Sequence, residues 1–305
     1  MRIGMIGLGK MGGNMTRRLR QGGLEVVGFD RDPAVAAALA AECGVAAADS
    51  PRQLVEMLAS PRVVWLMLPA GGVTEASVEE MQTLLAPGDT LVDGANSHYK
   101  DSMRRAAGLA VRGIDFVDAG VSGGVWGLEA GYALMVGGSA DAVARLQPVI
   151  SALAPAPDRG WLHTGPAGSG HYAKMVHNGI EYGMMQAYAE GFALLQARTD
   201  WDLDLAGIAE LWRHGSVVRS WLLDLAAGFL AEDSQLAGIE PVVADSGEGR
   251  WSAIEAIEQG VPAPVMTTAL MMRFASQGRQ DYASRVLAKM RQAFGGHATS
   301  PLKGR

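Results

Sequence analysis

The first residues of the chain combine a short apolar strand, a glycine-rich turn and the start of a helix. The strand begins at Arg2 and leads into Gly7-x-Gly9-x-x-Gly12. Glycines with this spacing permit a tight turn, bring the backbone close to a pyrophosphate and let the helix pack against the strand. The helix N-terminus also offers unpaired backbone N–H groups to phosphates. The segment therefore predicts a dinucleotide-binding unit, and a glycine-rich turn with a purely structural role is the alternative.

A carboxylate follows the second apolar strand of this unit. Asp30 lies about 18 residues after Gly12, where dinucleotide-binding units carry the acid that accepts hydrogen bonds from the adenosine ribose. A carboxylate at this position repels a 2′-phosphate, so the sequence predicts NAD in preference to NADP. NADP remains an alternative cofactor because of Arg31, whose guanidinium could stack on adenine or reach a 2′-phosphate.

Strands and helices alternate through the first half of the chain. Such alternation predicts a parallel sheet with ligands beyond the carboxyl ends of its strands. Beyond the first two strands, the pattern predicts helices near 33–43, 51–58, 73–85 and 140–153 and strands over 63–68, 90–93, 115–118 and 132–138.

The second half of the chain has a different pattern. Prolines and glycines crowd into residues 155–170, and the remainder is helical in character. We therefore expect an α/β Rossmann-type domain with a parallel sheet over residues 1–163, followed by an all-α domain over residues 164–305. Helices are predicted to about residue 197 and near 203–213, 219–231, 249–258, 264–276 and 279–293.

Composition excludes several classes of protein. The net charge of -6 leaves no basic stripe for nucleic acid. Cys43 is the single cysteine, so there is no disulfide, and the six histidines are scattered without metal-ligand spacing. The strand pattern starts at Arg2, and no apolar run reaches about 18 residues. We expect a cytoplasmic protein without a metal site or a membrane segment.

Residues 170–182 combine a helical pattern with several polar side chains. At about 100° per residue, its polar side chains share an arc of about 140°. The continuation of this helix is too apolar for a surface, so we expect the helix to be buried and its polar face to be paired or functional. A solvated amphipathic helix is the alternative. The residues on this face are Lys174, His177, Asn178, Glu181 and Tyr182.

Two polar loops follow strands of the predicted sheet. One contains Asn96, and the other contains Ser122, Gly123 and Gly124. Small residues leave backbone N–H groups open to a ligand, while Asn96 and Ser122 supply side-chain hydrogen bonds. Each loop alone could be an ordinary strand-to-helix turn. Because both lie at the same edge as the glycine turn, together they favour a binding site.

These motifs together resemble the decarboxylating 6-phosphogluconate dehydrogenase family of the β-hydroxyacid dehydrogenase superfamily. The segment Asp93-Gly-Ala-Asn-Ser97 is close to the family's Asp-Gly-Gly-Asn-Ser, and residues 168–182 match its lysine-bearing helix. In simpler hydroxyacid dehydrogenases the positions of His177 and Glu181 are usually occupied by other residues. The chain length is similar to that of the short bacterial form.

The resemblance implies oxidative decarboxylation of 6-phosphogluconate to ribulose 5-phosphate and CO2 in the pentose phosphate pathway and gluconate utilisation, with NAD or NADP. It implies that Lys174 is the general base for the C3 hydroxyl and that Glu181 is the acid that protonates C1 of the enediol. It also makes the helical domain the substrate-binding and dimerisation domain of a homodimer with shared active sites, or of a homotetramer.

The resemblance further implies a set of ligand-binding residues. Sugar-acid ligands would be Asn96, Ser122, Gly123, Gly124, His177 and Asn178, and phosphate ligands would be Tyr182, Arg273 and, from the partner subunit, Arg291 and His297. Cofactor-binding positions would be Gly7, Gly9, Lys10, Met11, Gly12, Asp30, Arg31, Leu68, Pro69 and Asn96.

One motif departs from the family pattern. The family's Lys-Gly-Thr-Gly-x-Trp is here Ser246-Gly-Glu-Gly-Arg-Trp251, which removes a phosphate-binding lysine. Either Arg250 compensates, or the substrate differs. Two alternatives therefore stay open: a non-decarboxylating dehydrogenase of a small β-hydroxy acid such as 3-hydroxyisobutyrate, and a non-catalytic NAD-binding module.

Overall fold

A computed structural model of the protein describes residues 1–279 and 281–295. Its contacts group into two compact units, Met1–His177 and Asn178–Arg305. The division falls inside one long helix. The domain boundary after residue 163, which rests on composition, stays a prediction.

The first unit is built on an eight-stranded sheet. The strand order is β3-β2-β1-β4-β5-β6-β7-β8, and every neighbouring pair is parallel except β6 and β7. The order reverses direction between β1 and β4, which is where ligands bind in sheets of this kind. The strands are β1 (Arg2–Ile6), β2 (Glu25–Phe29), β3 (Ala46–Ala47), β4 (Val63–Leu66), β5 (Thr90–Asp93), β6 (Asp115–Ser122), β7 (Ala133–Gly137) and β8 (Trp161–Gly165).

Helices connect these strands and cover the sheet. Several begin where the sequence provides a cap: the side chains of Asp32 and Ser50 each accept a backbone N–H, and a proline follows each cap. The helices are α1 (Lys10–Gln21), α2 (Pro33–Cys43), α3 (Pro51–Glu56), α4 (Gly72–Leu84), α5 (Tyr99–Ala110), α6 (Gly127–Ala130), α7 (Ala140–Arg145) and α8 (Gln147–Leu153), with a 3-10 turn at Gly124–Trp126.

The core of the first unit consists of two apolar clusters. Ile3 and Met5 of β1 belong to one cluster, and Ile6 belongs to the other. Alternate residues of a strand point to opposite faces, so each face of the sheet has its own apolar layer. The two covered faces confirm the α/β class predicted from the sequence.

The structure adds elements that the sequence pattern did not predict. Helix α5 and strand β3 were not predicted, and β8 lies inside the proline-rich and glycine-rich break at 155–170. Strand β8 forms because its backbone pairs with β7, a long-range contact that local composition does not reveal. The sheet is also mixed, because β7 runs antiparallel to β6.

The second unit is helical throughout its described part. Helix α9 (Ser169–Gln196) starts in the first unit and continues into the second, which confirms the predicted long helix. None of the described helices is long and apolar enough to cross a membrane. The remaining helices are α10 (Leu205–Arg213), α11 (Trp221–Glu232), α12 (Glu248–Gln259), α13 (Pro264–Ser276) and α14 (Asp281–Gly295).

The apolar half of α9 is less buried than the sequence suggests. Gly179 does allow a close approach, since a Cβ there would lie 2.9 Å from the hydroxyl of Ser252 on α12. In contrast, Met184, Met185 and Leu194 are exposed. The expectation that this whole helix is covered is therefore wrong for the single chain.

Candidate active site

The glycine turn between β1 and α1 has the geometry of a dinucleotide site. Gly7 has a φ of 90°, and a Cβ on it would lie 2.3 Å from the carbonyl oxygen of Met67. A Cβ on Gly12 would lie 1.9 Å from the carbonyl oxygen of Gly7. A Cβ on Gly9, by contrast, would meet no atom within 4 Å. The turn therefore needs glycine for its own packing at Gly7 and Gly12, while Gly9 borders open space.

The N-terminus of α1 is suited to bind an anion. Gly9 caps the helix without a side-chain hydrogen bond, and the first turn contains no acidic residue. Unpaired N–H groups at a helix start attract phosphates. Lys10 is exposed in this first turn and Met11 is half-buried. The turn and the helix start together fit the pyrophosphate of NAD or NADP.

Asp30 lies immediately after β2 and is bonded to the glycine turn. Its Oδ2 accepts a hydrogen bond from the backbone N–H of Leu8 at 2.8 Å, and its Oδ1 accepts one from the N–H of Asp32 at 3.0 Å. Asp30 thus fixes the end of β2 against the turn. Its carboxylate is half-buried, and Arg31 beside it is exposed.

The segment after β4 also follows the carboxyl edge of the sheet. Leu68 is half-buried and Pro69 is exposed. The hydroxyl of Thr74, in the first turn of α4, donates to the carbonyl oxygen of Pro69 at 2.8 Å. This bond ties the segment to the start of α4.

Buried ionic contacts hold the loop that carries Asn96. Arg105 of α5, whose side chain is 2% exposed, donates to Asp93 at 2.8 Å and to the hydroxyl of Ser97 at 3.1 Å. Gly94 has no room for a side chain, because a Cβ would lie 2.2 Å from Nε1 of Trp65. Asn96 itself is exposed. The fixed loop therefore presents Asn96 at the carboxyl end of β5.

Glu75 of α4 completes this ionic network. Its carboxylate contacts Arg104 at 2.6 Å and Arg105 at 2.8 Å. Hydrogen bonds from these two guanidinium groups, the one from Arg104 first, lower the pKa of Glu75 to about 2. Glu75 therefore stays ionised at neutral pH and balances the charge of the arginine buried under the Asn96 loop.

The start of α9 is anchored to β6 by a buried aspartate. Asp118 is fully buried, and its two oxygens accept hydrogen bonds from the backbone N–H groups of Gly168 at 2.6 Å and His171 at 2.7 Å. The His171 ring in turn contacts the hydroxyl of Ser102 on α5 at 2.7 Å. These bonds satisfy N–H groups that have no partner within the helix and fix where α9 begins.

Lys174 lies one turn further along α9, against the end of β6. Only 8% of its surface is exposed. A Cβ on Gly120 would lie 2.4 Å from the Cβ of Lys174 and 2.9 Å from the carbonyl oxygen of Gly170. Gly120 therefore lets the helix approach the strand so closely that Lys174 is buried at the carboxyl edge of the sheet.

The loop after β6 contributes the next predicted residues. The hydroxyl of Ser122 lies 3.4 Å from Nε2 of His177 on α9. Gly123 has a φ of 139° and packs on the ring of Tyr132, while Gly124 is exposed and has a φ of 52°. Within the first unit, the fold brings the predicted residue Lys174 against Gly120 and the predicted residues Ser122 and His177 next to each other.

In the second unit, α9 contributes three further predicted residues. Asn178 and Glu181 are half-buried, and Tyr182 is 4% exposed. The guanidinium carbon of Arg273 on α13 lies 3.4 Å from the centre of the Tyr182 ring, a cation–π contact. Nη1 of Arg273 also donates to the carbonyl oxygen of Ala244 at 2.8 Å. The fold thus brings Tyr182 and Arg273 together.

The remaining two predicted phosphate ligands lie near the end of the chain. Arg291 is exposed on α14. His297 lies outside the described residues. The described residues contain no group of three or more metal-ligating side chains placed to hold an ion.

Comparison with known proteins identifies the family. Residues 2–163 match the NAD binding domain of 6-phosphogluconate dehydrogenase, and residues 170–300 match the C-terminal domain of 6-phosphogluconate dehydrogenase. The chain belongs to the 6-phosphogluconate dehydrogenase family. The two matches follow each other along the chain as the Rossmann-type and helical regions do.

The chain matches curated relatives of similar length and longer ones. The chain is 44% identical to the NAD(+)-dependent, decarboxylating 6-phosphogluconate dehydrogenase of Haloferax volcanii, over 97% of this chain and 98% of that protein. It is 40% identical to a putative 6-phosphogluconate dehydrogenase of Bacillus subtilis over 98% of this chain and 99% of that protein. It spans 59% of the longer decarboxylating enzyme of Treponema pallidum, with 36% identity over 91% of this chain.

Solved structures show the same fold. The 6-phosphogluconate dehydrogenase of Plasmodium falciparum, studied with NADP+ and with 6-phosphogluconate, superposes with a TM-score of 0.84 and 27% identity, covering 100% of this chain and 67% of that chain. The 3-hydroxyisobutyrate dehydrogenase of Mycobacterium tuberculosis superposes with a TM-score of 0.72 and 25% identity, covering 92% and 94%. The Rossmann-type and helical architecture is thus shared with dehydrogenases that act on other β-hydroxy acids.

Several residues that support the site were not selected from the sequence. Asp118, Arg105 and Asp245 are buried charged side chains that fix loops or helix ends. Asp118 gave a signal, because a carboxylate interrupts an otherwise apolar strand. Arg105 and Asp245 gave none, because their partners are set by long-range packing.

Proposed function

We propose that this protein oxidatively decarboxylates 6-phosphogluconate to ribulose 5-phosphate and CO2, with NAD as the oxidant. The observation that carries the proposal is the burial of Lys174 against Gly120, at the carboxyl edge of a sheet that also presents the glycine turn and the Asn96 loop. A buried lysine at a cofactor-binding edge is suited to proton transfer rather than to a solvated surface. The full-length similarity to an NAD(+)-dependent, decarboxylating relative supports the same conclusion.

Two residues of α9 divide the proton transfers between them. NAD, when bound, accepts hydride from C3 of the substrate. Lys174 removes the proton from the C3 hydroxyl, and the resulting β-keto acid loses CO2. Glu181 then protonates C1 of the enediol. The two residues lie seven positions apart on α9, so their side chains project from the same face of the helix.

The remaining polar residues orient the substrate. We assign the carboxylate and the hydroxyls of 6-phosphogluconate to Asn96, Ser122, His177 and Asn178, with the backbone of Gly123 and Gly124. The phosphate is assigned to Tyr182 and Arg273, whose stacked geometry pre-orders the guanidinium. These assignments follow the family motifs at the matching positions.

Asp30 is proposed to favour NAD over NADP. Its carboxylate lies at the end of β2 and is held by the N–H groups of Leu8 and Asp32. A charge fixed there would repel the 2′-phosphate of NADP, while Arg31 is exposed beside it and would attract that phosphate. The preference therefore rests on a hydrogen-bonded carboxylate competing with an exposed cation.

We propose that the protein acts as a cytoplasmic homodimer with shared active sites. Large apolar side chains of the second unit are exposed in the single chain, and a second copy would cover them. Arg291 and His297 of the partner subunit would then complete each phosphate site. The exposed side chains include Met184, Leu194, Val217, Trp221, Phe229, Ile257 and Val265.

The experiment that tests the function is a set of initial-rate assays. NADH and NADPH formation are followed with 6-phosphogluconate, with gluconate and with 3-hydroxyisobutyrate. The proposal expects the highest kcat/KM for 6-phosphogluconate with NAD, together with CO2 release. Turnover of only an unphosphorylated acid would assign the protein to another branch of the superfamily, and NAD binding without turnover of any acid would make it a non-catalytic module.

Substitutions on α9 separate the two proton transfers. Lys174→Met should abolish reduction of the dinucleotide. Glu181→Gln should slow release of the ketopentose while leaving the affinity for NAD unchanged. Normal turnover by the Glu181→Gln enzyme would show that this residue is not the acid.

A further inference from the structure

The loop before α12 replaces a lysine with a serine but keeps a guanidinium nearby. Ser246 carries no charge, and its hydroxyl donates to Oε2 of Glu248 at 2.6 Å. Glu248 is 1% exposed. The Ser246 hydroxyl also lies 3.3 Å from the hydroxyl of Tyr182, so residue 246 links the start of α12 to Tyr182 and offers no cation to a ligand.

Asp245 organises the polar groups of this loop. Its Oδ1 accepts hydrogen bonds from the hydroxyl of Tyr182 at 3.3 Å and from the N–H of Gly247 at 3.0 Å. Its Oδ2 accepts one from Nη2 of Arg250 at 2.7 Å. The Asp245 side chain is 4% exposed, so these protein groups, rather than water, satisfy its carboxylate oxygens. A single buried carboxylate thus links Tyr182 to Arg250.

The guanidinium of Arg250 is fixed by one hydrogen bond and has further N–H donors. Within the described residues only its Nη2 donates a hydrogen bond, so most of its five N–H donors remain available. Its side chain is 49% exposed, and its guanidinium carbon lies 5.3 Å from the centre of the Phe274 ring. Arg250 is therefore a positioned cation with donors that face solvent.

The other groups of the cluster explain why a second cation is needed. Arg273 stacks on Tyr182 at 3.4 Å, and Tyr182 shares Asp245 with Arg250. Asp245 in the loop and Glu248 at the first position of α12 both carry carboxylates, so with Arg273 alone the cluster would have a net negative charge that repels a phosphate dianion. With Arg250 included, two guanidinium groups offset the two carboxylates, which removes the net repulsion and leaves the N–H donors of both arginines for phosphate oxygens.

We propose that Arg250, positioned by Asp245, is the specificity-determining cation that binds the substrate phosphate in this chain, in place of the lysine missing at Ser246. The inference rests on the proposed function, since it names how that site holds the phosphate. Ser246 and Glu248 stabilise the loop, and neither supplies a positive charge to the phosphate. The guanidinium keeps one N–H on Asp245 and donates others to the phosphate oxygens.

The test compares Arg250→Ala with a matched control, Arg279→Ala. Arg279 also lies over the Phe274 ring, at 5.5 Å, but has no bond to Asp245. Losing a charge-assisted contact should raise KM for 6-phosphogluconate by about 10- to 100-fold in Arg250→Ala. KM for NAD should not change, and inorganic phosphate should become a correspondingly weaker competitive inhibitor. Arg279→Ala should change each of these constants less than about twofold.

Two further variants distinguish the loss of a phosphate contact from a structural effect of the Arg250→Ala substitution. Arg250→Lys should recover part of the affinity, and Ser246→Lys combined with Arg250→Ala should restore a cation from the neighbouring position. Equal KM values for Arg250→Ala and Arg279→Ala would overturn the inference while leaving the proposed function intact. Absence of 6-phosphogluconate turnover in the unsubstituted protein would instead refute the proposed function.

Discussion

The carboxylate of Asp118 on β6 accepts a hydrogen bond from the backbone N–H of His171 at 2.7 Å. Its other oxygen accepts the N–H of Gly168 at 2.6 Å, so one buried side chain caps the start of α9 from the sheet. Lys174 follows His171 by about one helical turn. The position of the proposed catalytic base is thus set by a residue that lies outside the lysine motif.

Replacing Asp118 with asparagine should misplace the start of α9. An amide has one acceptor oxygen where the carboxylate has two, so one buried N–H loses its partner at a cost of about 1–3 kcal/mol. We expect a lower unfolding midpoint in urea and a lower kcat. An enzyme with unchanged stability and unchanged kcat would show that this cap does not position Lys174.

A methyl group on Gly120 should damage the site directly. In Gly120→Ala the new Cβ would lie 2.4 Å from the Cβ of Lys174, so the helix or the strand has to move. Such overpacking costs about 1–3 kcal/mol, and a shift of about 1 Å at a catalytic group can lower kcat by about 100-fold. Stopped-flow measurement of NADH formation would report the loss.

The matched control for this substitution is Gly108→Ala. Gly108 lies within α5, is exposed, and a Cβ there would meet no atom within 4 Å. This variant should keep full activity and gain about 0.5–1 kcal/mol of stability from helix propensity. Equal activity in the two alanine variants would contradict the proposed close packing at Lys174.

The stability contributed by Glu75 should depend on pH. Its pKa is lowered from 4.5 to about 2 by Arg104 and Arg105, so its contribution is complete above pH 4.5 and is lost as the pH falls through about 2. Glu75→Gln should therefore lower the free energy of unfolding at pH 7 by about 1–3 kcal/mol. The difference from the unsubstituted protein should shrink between pH 4.5 and 2. Urea unfolding at several pH values would measure it, and a difference that grows in acid would contradict the assignment.

Asp30→Asn should weaken the preference for NAD. The amide oxygen can still accept the N–H of Leu8, which Asp30 binds at 2.8 Å, so the turn should persist while the charge is removed. We expect the ratio of kcat/KM for NADP to that for NAD to rise by about tenfold or more, which corresponds to about 1.4 kcal/mol. An unchanged ratio would mean that Arg31 or another group decides the cofactor.

Much of the secondary structure was predictable from local signals. Helix α13 was predicted over 264–276 and spans Pro264–Ser276, because a proline at its start is a strong local signal. Strand β3 was not predictable, since it has only two residues and depends on pairing with β2. Strand β8 was hidden by the surrounding glycines and prolines for a similar reason.

The predicted site residues show the same contrast. The spacing of polar residues on α9 was sufficient to select Lys174 and His177, and the structure places them beside Gly120 and Ser122. The sequence could not show that Asp245 binds Arg250 and Tyr182, because Tyr182 lies 63 residues before Asp245. It also could not show that Met184 and Leu194 stay exposed in the single chain.

The sequence by itself determined the α/β then α architecture, the glycine turn, the long lysine-bearing helix and the family, because each depends on periodicity or on residues close in the chain. Tertiary structure alone decided how deeply Lys174 is buried, which carboxylate caps α9 and which arginine Asp245 holds. The physical reason is that burial and ion pairing depend on distances between elements that are far apart in sequence, and only packing fixes those distances.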